Sequence, residues 1–265
     1  MQIIDLSDFP QHSHDYFVCL EEYFEPFRES IHHKNEWYEK MQARGLGLKV
    51  KLALDPSGVV GGMIHYLPVE HSYIEGEDIY FIPCIWVHRQ PKGRGNMQGH
   101  GMGTELLKAA EDDARALGAS GIAAWGAEFP GWMEAAWFIK HGYMEADRED
   151  YAILVWKPFT EDAKPPKWIR PRKKIETVPG KVTVTAFING WCPVYNMLYD
   201  WARKAASEFG DNVIFQGIDT FDKKTIEEWG IWDGVYIDGE NIQHGPPPEY
   251  EEIKQAIAER VEKLE

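Results

Sequence analysis

The stretch that decides the fold is IYFIPCIWVHRQPKGRGNMQGHGMG, residues 79–103. Residues 79–88 form a nearly continuous apolar run, which predicts a buried central strand. Pro83 lies inside this run and has no N–H to donate to a neighbouring strand, so we predict a bulge or a splayed edge there. The glycine-rich segment after the strand predicts a loop. Residues 104–117 then carry apolar side chains at helical spacing, which predicts a helix.

The glycine loop is the first candidate for a ligand site. Residues 98–103, QGHGMG, fit the pattern Q/R-x-x-G-x-G/A. A pyrophosphate binds where free N–H groups converge at a helix N-terminus, and glycines let the backbone approach it closely. Thr104 could cap the helix or contact a phosphate oxygen. By itself the loop is weak evidence, because a flexible surface loop has the same composition.

A dinucleotide-binding domain of the Rossmann type is a further alternative, and the order of elements disfavours it. That fold places its glycine loop after the first strand and an acidic residue about 20 residues later. Here the loop follows roughly the fourth predicted strand, and the strand after the helix ends in Trp125-Gly126.

Residues 157–180 contain prolines and a basic cluster without helical or strand periodicity, which predicts an extended linker. We therefore divide the chain into a domain at 1–157, a linker at 158–179 and a smaller domain at 180–265. Before the linker we predict further strands at 3–5, 45–54, 59–67 and 122–126 and two strands within 143–156. We predict helices there at 15–44 and 132–140. After the linker we predict strands at 181–189 and 212–219 and a hairpin of strands at 234–237 and 243–245. We predict helices there at 195–209, 222–229 and 249–264.

Composition narrows the classes of partner. The 265 residues carry a net charge of −15, which argues against nucleic-acid binding. An acidic surface could favour cationic substrates such as amines, although it also serves solubility. No apolar run reaches the length of about 18 residues that a membrane span needs, and no secretory signal is evident. Three cysteines make no disulfide framework, so we expect a reducing cytoplasm.

The predicted order of elements resembles that of the GNAT acetyltransferases over residues 1–157. The segment WFIKHGY at 137–143 is similar to that family's late F-Y-E-K-x-G-F motif. The resemblance implies an α/β fold with a mixed, mostly antiparallel sheet flanked by helices. It implies acetyl-CoA as the acetyl donor, direct attack by the amine of a small molecule or protein, and no metal.

The resemblance also assigns cofactor residues. Ile85, Trp86 and Val87 would pair their backbone with the pantetheine arm, and one of their N–H groups would face the thioester oxygen. The loop would hold the pyrophosphate through Gln98, Gly99, His100, Gly101, Met102, Gly103 and Thr104. Lys92 and Arg94 could contact coenzyme phosphates or lie in solvent.

The acid and base are less evident. The family's segment often has a tyrosine that protonates the departing thiolate, and Phe138 stands at that position. Glu128, after the strand that follows the loop helix, is one candidate base or a solvated carboxylate. His88, at the end of the cofactor strand, is another or a surface histidine.

Residues 182–195 resemble the strand and active-site turn of thioredoxins. Cys192 matches the first cysteine of W-C-x-x-C, and Tyr195 replaces the second, which removes ordinary dithiol exchange. Together with the first domain, this tail resembles YoaP-type acetyltransferases. Cys192 could act as a monothiol at a helix N-terminus, or the domain could serve docking or dimerisation, including a homodimer.

Three functions therefore stay open. An N-acetyltransferase is the leading hypothesis, followed by an acyl-CoA-binding module with little turnover, which Phe138 favours. A thiol-dependent protein built on Cys192 is the third. The histidine pairs His12/His14 and His32/His33 lack a recognisable set of further ligands, so we predict no metal site.

Overall fold

A computed structural model of the protein describes residues 1–243 and 246–264. Residue contacts divide the chain into two compact units. The first contains Met1–Phe24 and Lys40–Trp168, and the second contains Glu25–Glu39 and the chain from Ile169 onward. Within the described ranges, no helix combines the length and the apolar character needed to cross a membrane.

The N-terminal part of the chain alternates strands and helices. In chain order they are β1 (Gln2–Asp5), α1 (Ser13–Phe17), α2 (Glu25–Glu29), α3 (Ile31–Ala43), β2 (Lys49–Leu54), β3 (Val60–Pro68), β4 (Ile74–Glu75), β5 (Ile79–Val87), α4 (Met102–Ala116), β6 (Gly121–Ala127), α5 (Ala135–Lys140), β7 (Met144–Glu149), β8 (Ala152–Pro158) and β9 (Lys167–Trp168). The predicted strands and the glycine-loop helix are thus confirmed within a few residues.

Seven of these strands form the sheet of the first unit, in the order β1-β2-β3-β5-β6-β8-β7. Only β5 and β6 run parallel, and all other neighbours are antiparallel. Helix α4 packs on β3 and β5 and buries Leu106, Leu107, Ala110 and Ala114, which share one helical face. This confirms the predicted fold class, a mixed and mostly antiparallel sheet flanked by helices.

The remaining elements belong to the second unit. They are β10 (Val182–Ile188), α6 (Pro193–Ser207), β11 (Val213–Asp219), α7 (Lys223–Trp229), β12 (Gly234–Ile237), β13 (Glu240–Asn241) and α8 (Tyr250–Val261). The sheet order is β11-β10-β12-β13, with β10 parallel to β11 and antiparallel to β12. Helices α6 and α8 pack together in the core of this unit. Of the strand predicted at 243–245, His244 and Gly245 lie outside the described residues.

Three predictions are corrected. The helical segment at 15–44 is interrupted after α1, where Cys19 and Leu20 adopt positive φ angles of 49° and 66°. The segment predicted as a linker contains β9, which pairs with β4. The helix predicted at 132–140 begins only at Ala135, because the preceding residues form a loop that returns to the end of β6.

Candidate functional site

The site begins where β5 and β6 separate. The two strands pair from Ile79↔Gly121 to Ile82↔Ala124, and their pairing stops there, directly before Pro83. On the other side, the register of β5 against β3 shifts at the same place. The Trp125 Nε1–H donates to the Pro83 carbonyl at 2.8 Å, which holds the separated strands in place. The bulge and splay predicted from Pro83 are confirmed.

Past Pro83, the edge of β5 that faces the gap is satisfied by side chains instead of a strand. The Ile85 N–H donates to the Met133 Sδ at 3.3 Å, and the Gln98 side-chain amide donates to the Val87 carbonyl at 3.3 Å. A backbone edge held in this way can exchange these partners for a ligand that presents amide groups.

The glycine loop lies at the other end of the gap. Gly99 and Gly101 both have φ = 81°, and a side chain added at either would meet no atom within 4 Å. Gly101 is the N-cap of α4 and makes no side-chain cap. The first N–H groups of this 15-residue helix are therefore not capped by the N-cap side chain, and uncapped N–H groups at a helix N-terminus can bind an anion.

The gap and the loop open into one cavity of about 380 Å³, within the range of small-ligand sites. Its described lining residues are Ile85, Trp86, Val87, Met97, Gln98, Gly99, Gly101, Met102, Gly103, Thr104, Gly131, Met133, Glu134, Trp137 and Phe138. The structure thus brings together every residue predicted to hold the cofactor except His100.

Thr104 is held by a histidine that the sequence did not suggest. The His141 Nδ1–H donates to the Trp137 carbonyl at 2.8 Å, and the His141 Nε2 lies within hydrogen-bond distance of the Thr104 hydroxyl, at 3.0 Å. This fixes the threonine side chain at the mouth of the loop.

Neither Glu128 nor His88 is among the described residues that line the cavity. The Glu128 side chain is 61% exposed and forms an ion pair with Arg148 at 2.8 Å. The His88 side chain is 1% exposed, so it is not the surface histidine that was the alternative. Its Nδ1–H donates to the Gly95 carbonyl at 2.7 Å. Cys192 belongs to the second unit, where it is buried at the N-cap of α6.

Arg94 does not present its charge to the cavity. Its guanidinium is 6% exposed and pairs with Glu22 at 2.6 Å and Asp15 at 3.0 Å. Lys92, the other cation proposed for the coenzyme phosphates, is exposed. The described lining residues include no lysine or arginine. Backbone N–H groups are therefore the groups of partial positive charge that could face an anionic ligand in this cavity.

Beyond His141, sequence reasoning missed several residues of this region, including Met97 and Gly131, which line the cavity. Met133, Glu134 and Trp137 line the cavity, and Glu21 accepts from the Trp86 Nε1–H at 3.1 Å. The only signal for any of them was that Trp137 is the first residue of the motif-like segment at 137–143. The others come from loops, whose tertiary position no periodicity encodes.

One cluster in the second unit has donor atoms of the kind that bind metals. His32, His33 and Asp200 bring one ligand atom each to within 4.8 Å of the others. His33 Nε2 lies 3.1 Å from both Asp200 oxygens, and Arg203 also pairs with Asp200 at 3.1 Å. The carboxylate is already engaged by two cationic or hydrogen-bonding partners, which leaves it a poorer ligand.

Residues 16–143, which make up just under half of the chain, match the acetyltransferase (GNAT) family. The matched residues include the gap, the glycine loop and α5, so all described lining residues of the cavity belong to the matched segment. The protein is an acyltransferase enzyme.

Solved structures of GNAT and other acetyltransferases resemble the chain only generally. A GNAT acetyltransferase from Brucella melitensis in complex with acetyl-CoA is 18% identical, with 62% of this chain and 90% of that chain covered and a TM-score of 0.42. An acetyltransferase from Bacillus cereus is 19% identical (42% and 73% covered, TM-score 0.34). The paia N-acetyltransferase from Thermoplasma acidophilum, in complex with coenzyme A, is 13% identical (60% and 100%, TM-score 0.39). Because these identities and TM-scores are low, the ligands and activities of these proteins are not assigned to this chain. A comparison with curated protein sequences found no match.

Proposed function

We propose that the protein transfers the acetyl group of acetyl-CoA to an amine, with the coenzyme bound in the cavity between the splayed strands and the glycine loop. The observation that carries this proposal is the continuity of the two features. One cavity joins the edge of β5 that pairs with no strand to the N-terminus of α4. Coenzyme A needs both features, because its pantetheine amides can pair with a backbone edge and its pyrophosphate can bind at a helix N-terminus.

Each part of the coenzyme has residues suited to it. The pyrophosphate lies over Gly99 and Gly101, whose missing side chains leave open space, and it accepts from the first N–H groups of α4. The pantetheine amides pair with the gap-facing edge at Ile85 and Val87. Trp137 and Phe138 form an apolar wall. Affinity then comes from backbone dipoles rather than from ion pairs.

The chemistry is acyl transfer by direct attack. The amine nitrogen forms a bond to the thioester carbon, and the Ile85 N–H stabilises the oxyanion that develops. The C–S bond then breaks, and the proton lost by the amine ends on the coenzyme thiolate. A cysteine thiol has a pKa of about 8.5, and an alkyl thiolate of this kind can leave near neutral pH without a dedicated acid. Phe138 at the usual tyrosine position is therefore compatible with turnover.

The test is calorimetric titration with acetyl-CoA. Gly101→Glu places a carboxylate where the pyrophosphate would lie, so we expect binding about a hundredfold weaker, or about 2.7 kcal/mol. Gly58→Glu is the matched control, because Gly58 also has positive φ and open surroundings but lies in the β2–β3 turn. Its binding should equal that of the unaltered protein.

Each other result points elsewhere. If the unaltered protein does not bind acetyl-CoA, the proposal is wrong. If Gly101→Glu binds as well as Gly58→Glu, the coenzyme lies outside this cavity. Tight binding without acetylation of any member of a broad amine panel would instead support a coenzyme-binding module, the function that Phe138 favours.

We further propose a thioredoxin-like, YoaP-type second domain, a cytoplasmic location and a small-molecule or protein amine as acceptor. Support for the domain comes from the parallel β10–β11 pair, the antiparallel β12 and Cys192 at the start of α6. Cys192 is 1% exposed, so partner docking suits this domain better than thiol exchange.

A further inference from the structure

A short loop closes one end of the gap between β5 and β6. Residues 128–134 leave the end of β6 and return to it, because the Ala127 N–H donates to the Met133 carbonyl at 2.6 Å. The Gly131 N–H donates to the Glu134 carboxylate at 2.9 Å. Ala127 and Glu134 also form a β-bridge. The backbone of Met133 is therefore held in place.

The Met133 side chain turns inward. The residue is 6% exposed and has φ = 49°, an uncommon angle for a residue other than glycine. Its Sδ accepts from the Ile85 N–H at 3.3 Å. The thioether thus stands at the position from which a thioester oxygen would accept that hydrogen bond.

A thioether is a weak acceptor, and a carbonyl oxygen is a stronger one. The buried Ile85 N–H therefore favours a ligand carbonyl over the sulfur. Methionine has three rotatable bonds and adapts readily to its surroundings, so its side chain can withdraw without movement of the loop. The first carbon of the acyl chain lies two bonds from the carbonyl oxygen. The acyl chain must therefore enter the volume next to the displaced thioether.

We infer that Met133 sets the length of the acyl chain that the protein accepts. The inference rests on the proposed function, since it concerns the acyl group of the coenzyme bound in this cavity. The pinned backbone allows the side chain to withdraw by a limited distance, which makes room for an acetyl group. Longer acyl groups meet the thioether or the buried ring of Phe138, which also lines the cavity.

The test compares dissociation constants of acetyl-, propionyl-, butyryl- and hexanoyl-CoA by calorimetry. Met133→Ala removes three heavy atoms, and each methylene accommodated or excluded is worth about 10-fold or more. We expect the ratio of butyryl-CoA to acetyl-CoA affinity to rise at least about 10-fold in this variant. Met133→Leu keeps the bulk without the sulfur, so its ratio should stay within about threefold of the unaltered protein.

Two further variants make the result decisive. Met133→Gly opens the same volume and suits the positive φ angle, so it serves where Met133→Ala fails to fold, and it should show the same change. Met144→Ala is the control for loss of a methionine, because Met144 is 50% exposed on β7. Its chain-length profile should be unchanged.

The two proposals fail in different ways. If no acyl-CoA binds to the unaltered protein, the proposed function fails. If Met133→Ala and Met133→Gly bind acetyl-CoA but keep the original preference for short chains, the function stands and Met133 does not set chain length. A changed ratio in Met133→Leu, equal to that in Met133→Ala, would assign the selectivity to the sulfur contact and would overturn the inference that the bulk of the Met133 side chain limits chain length.

Discussion

Lys51 holds a buried ammonium between two carboxylates. Its Nζ lies 2.9 Å from both Asp5 and Asp113, and its side chain is 9% exposed. The hydroxyl of the buried Tyr66 donates to the same Asp113. Burial raises the pKa of Asp113, but the hydrogen bonds from Tyr66 and Lys51 and the charge of Lys51 outweigh it, so the pKa lies below its usual value.

This direction gives a stability prediction for Asp113→Asn. The carboxylate stabilises the fold above its unfolded pKa of about 3.9, and the contribution is lost as pH falls through the lower folded value. We expect the variant to lose about 1 kcal/mol at neutral pH, a figure reduced for partial exposure. The loss should shrink at pH about 3. Urea denaturation at both pH values measures it.

Asp112→Asn is the control for this prediction. Asp112 is the exposed neighbour on the same helix, so its replacement should change the unfolding free energy by less than about 0.5 kcal/mol. An Asp113→Asn loss of equal size at both pH values would contradict the assigned direction of the pKa shift.

At the scale of elements, α5 approaches β6 so closely that only glycine fits at position 126. A Cβ there would lie 2.6 Å from the backbone N and Cα of Ala135. Because these are backbone atoms, the contact cannot be relieved by a rotamer change. The approach matters to the site, since α5 carries Trp137 and Phe138 into the cavity.

Gly126→Ala should therefore push α5 away from β6. We expect a loss of about 1–3 kcal/mol in stability and weaker acetyl-CoA binding, measured by thermal unfolding and calorimetry. Gly118→Ala is the comparison, because Gly118 has positive φ but open surroundings at the end of α4. It should lose stability through backbone strain alone and bind the coenzyme normally. Equal binding by both variants would show that the position of α5 does not shape the cavity.

For the whole molecule, the net charge of −15 opposes the approach of an anionic coenzyme. The described cavity lining offers no side-chain cation to offset it. Salt screens repulsion between separated charges, with a Debye length of about 8 Å at physiological ionic strength. Association with acetyl-CoA should therefore speed up as salt is added.

We expect the association rate constant to rise by about threefold between low salt and about 0.15 M salt. Stopped-flow fluorescence can follow it, because Trp86 and Trp137 line the cavity. The uncharged acetyl-pantetheine is the control and should show no salt effect. A rate that falls with salt would instead reveal a basic surface that steers the coenzyme.

The division of the chain also belongs to this scale. The predicted boundary at 157–180 contains the change of unit between Trp168 and Ile169. Residues 25–39, which the sequence places in the first domain, group with the second unit, where α2 packs on α6 and Phe27 joins the core. Only a contact between distant segments reveals this, and composition cannot.

The sequence by itself determined what depends on local backbone chemistry. Pro83 lacks a hydrogen-bond donor, and the splay begins there. Alternating and helical apolar periods located nearly every strand and helix of the first unit. The glycines of 98–103 and the N-terminus of α4 predicted most of the cavity wall, because free N–H groups and positive φ angles are properties of consecutive residues.

Tertiary structure alone decided which side chains complete the site. Met133 meets Ile85 across 48 residues, and Glu21 meets Trp86 across 65. It also left Glu128 and His88, two plausible acid–base groups, out of the described cavity lining. The reason is physical: a side chain's partners depend on how loops return to the sheet, and packing over long sequence distances sets that return.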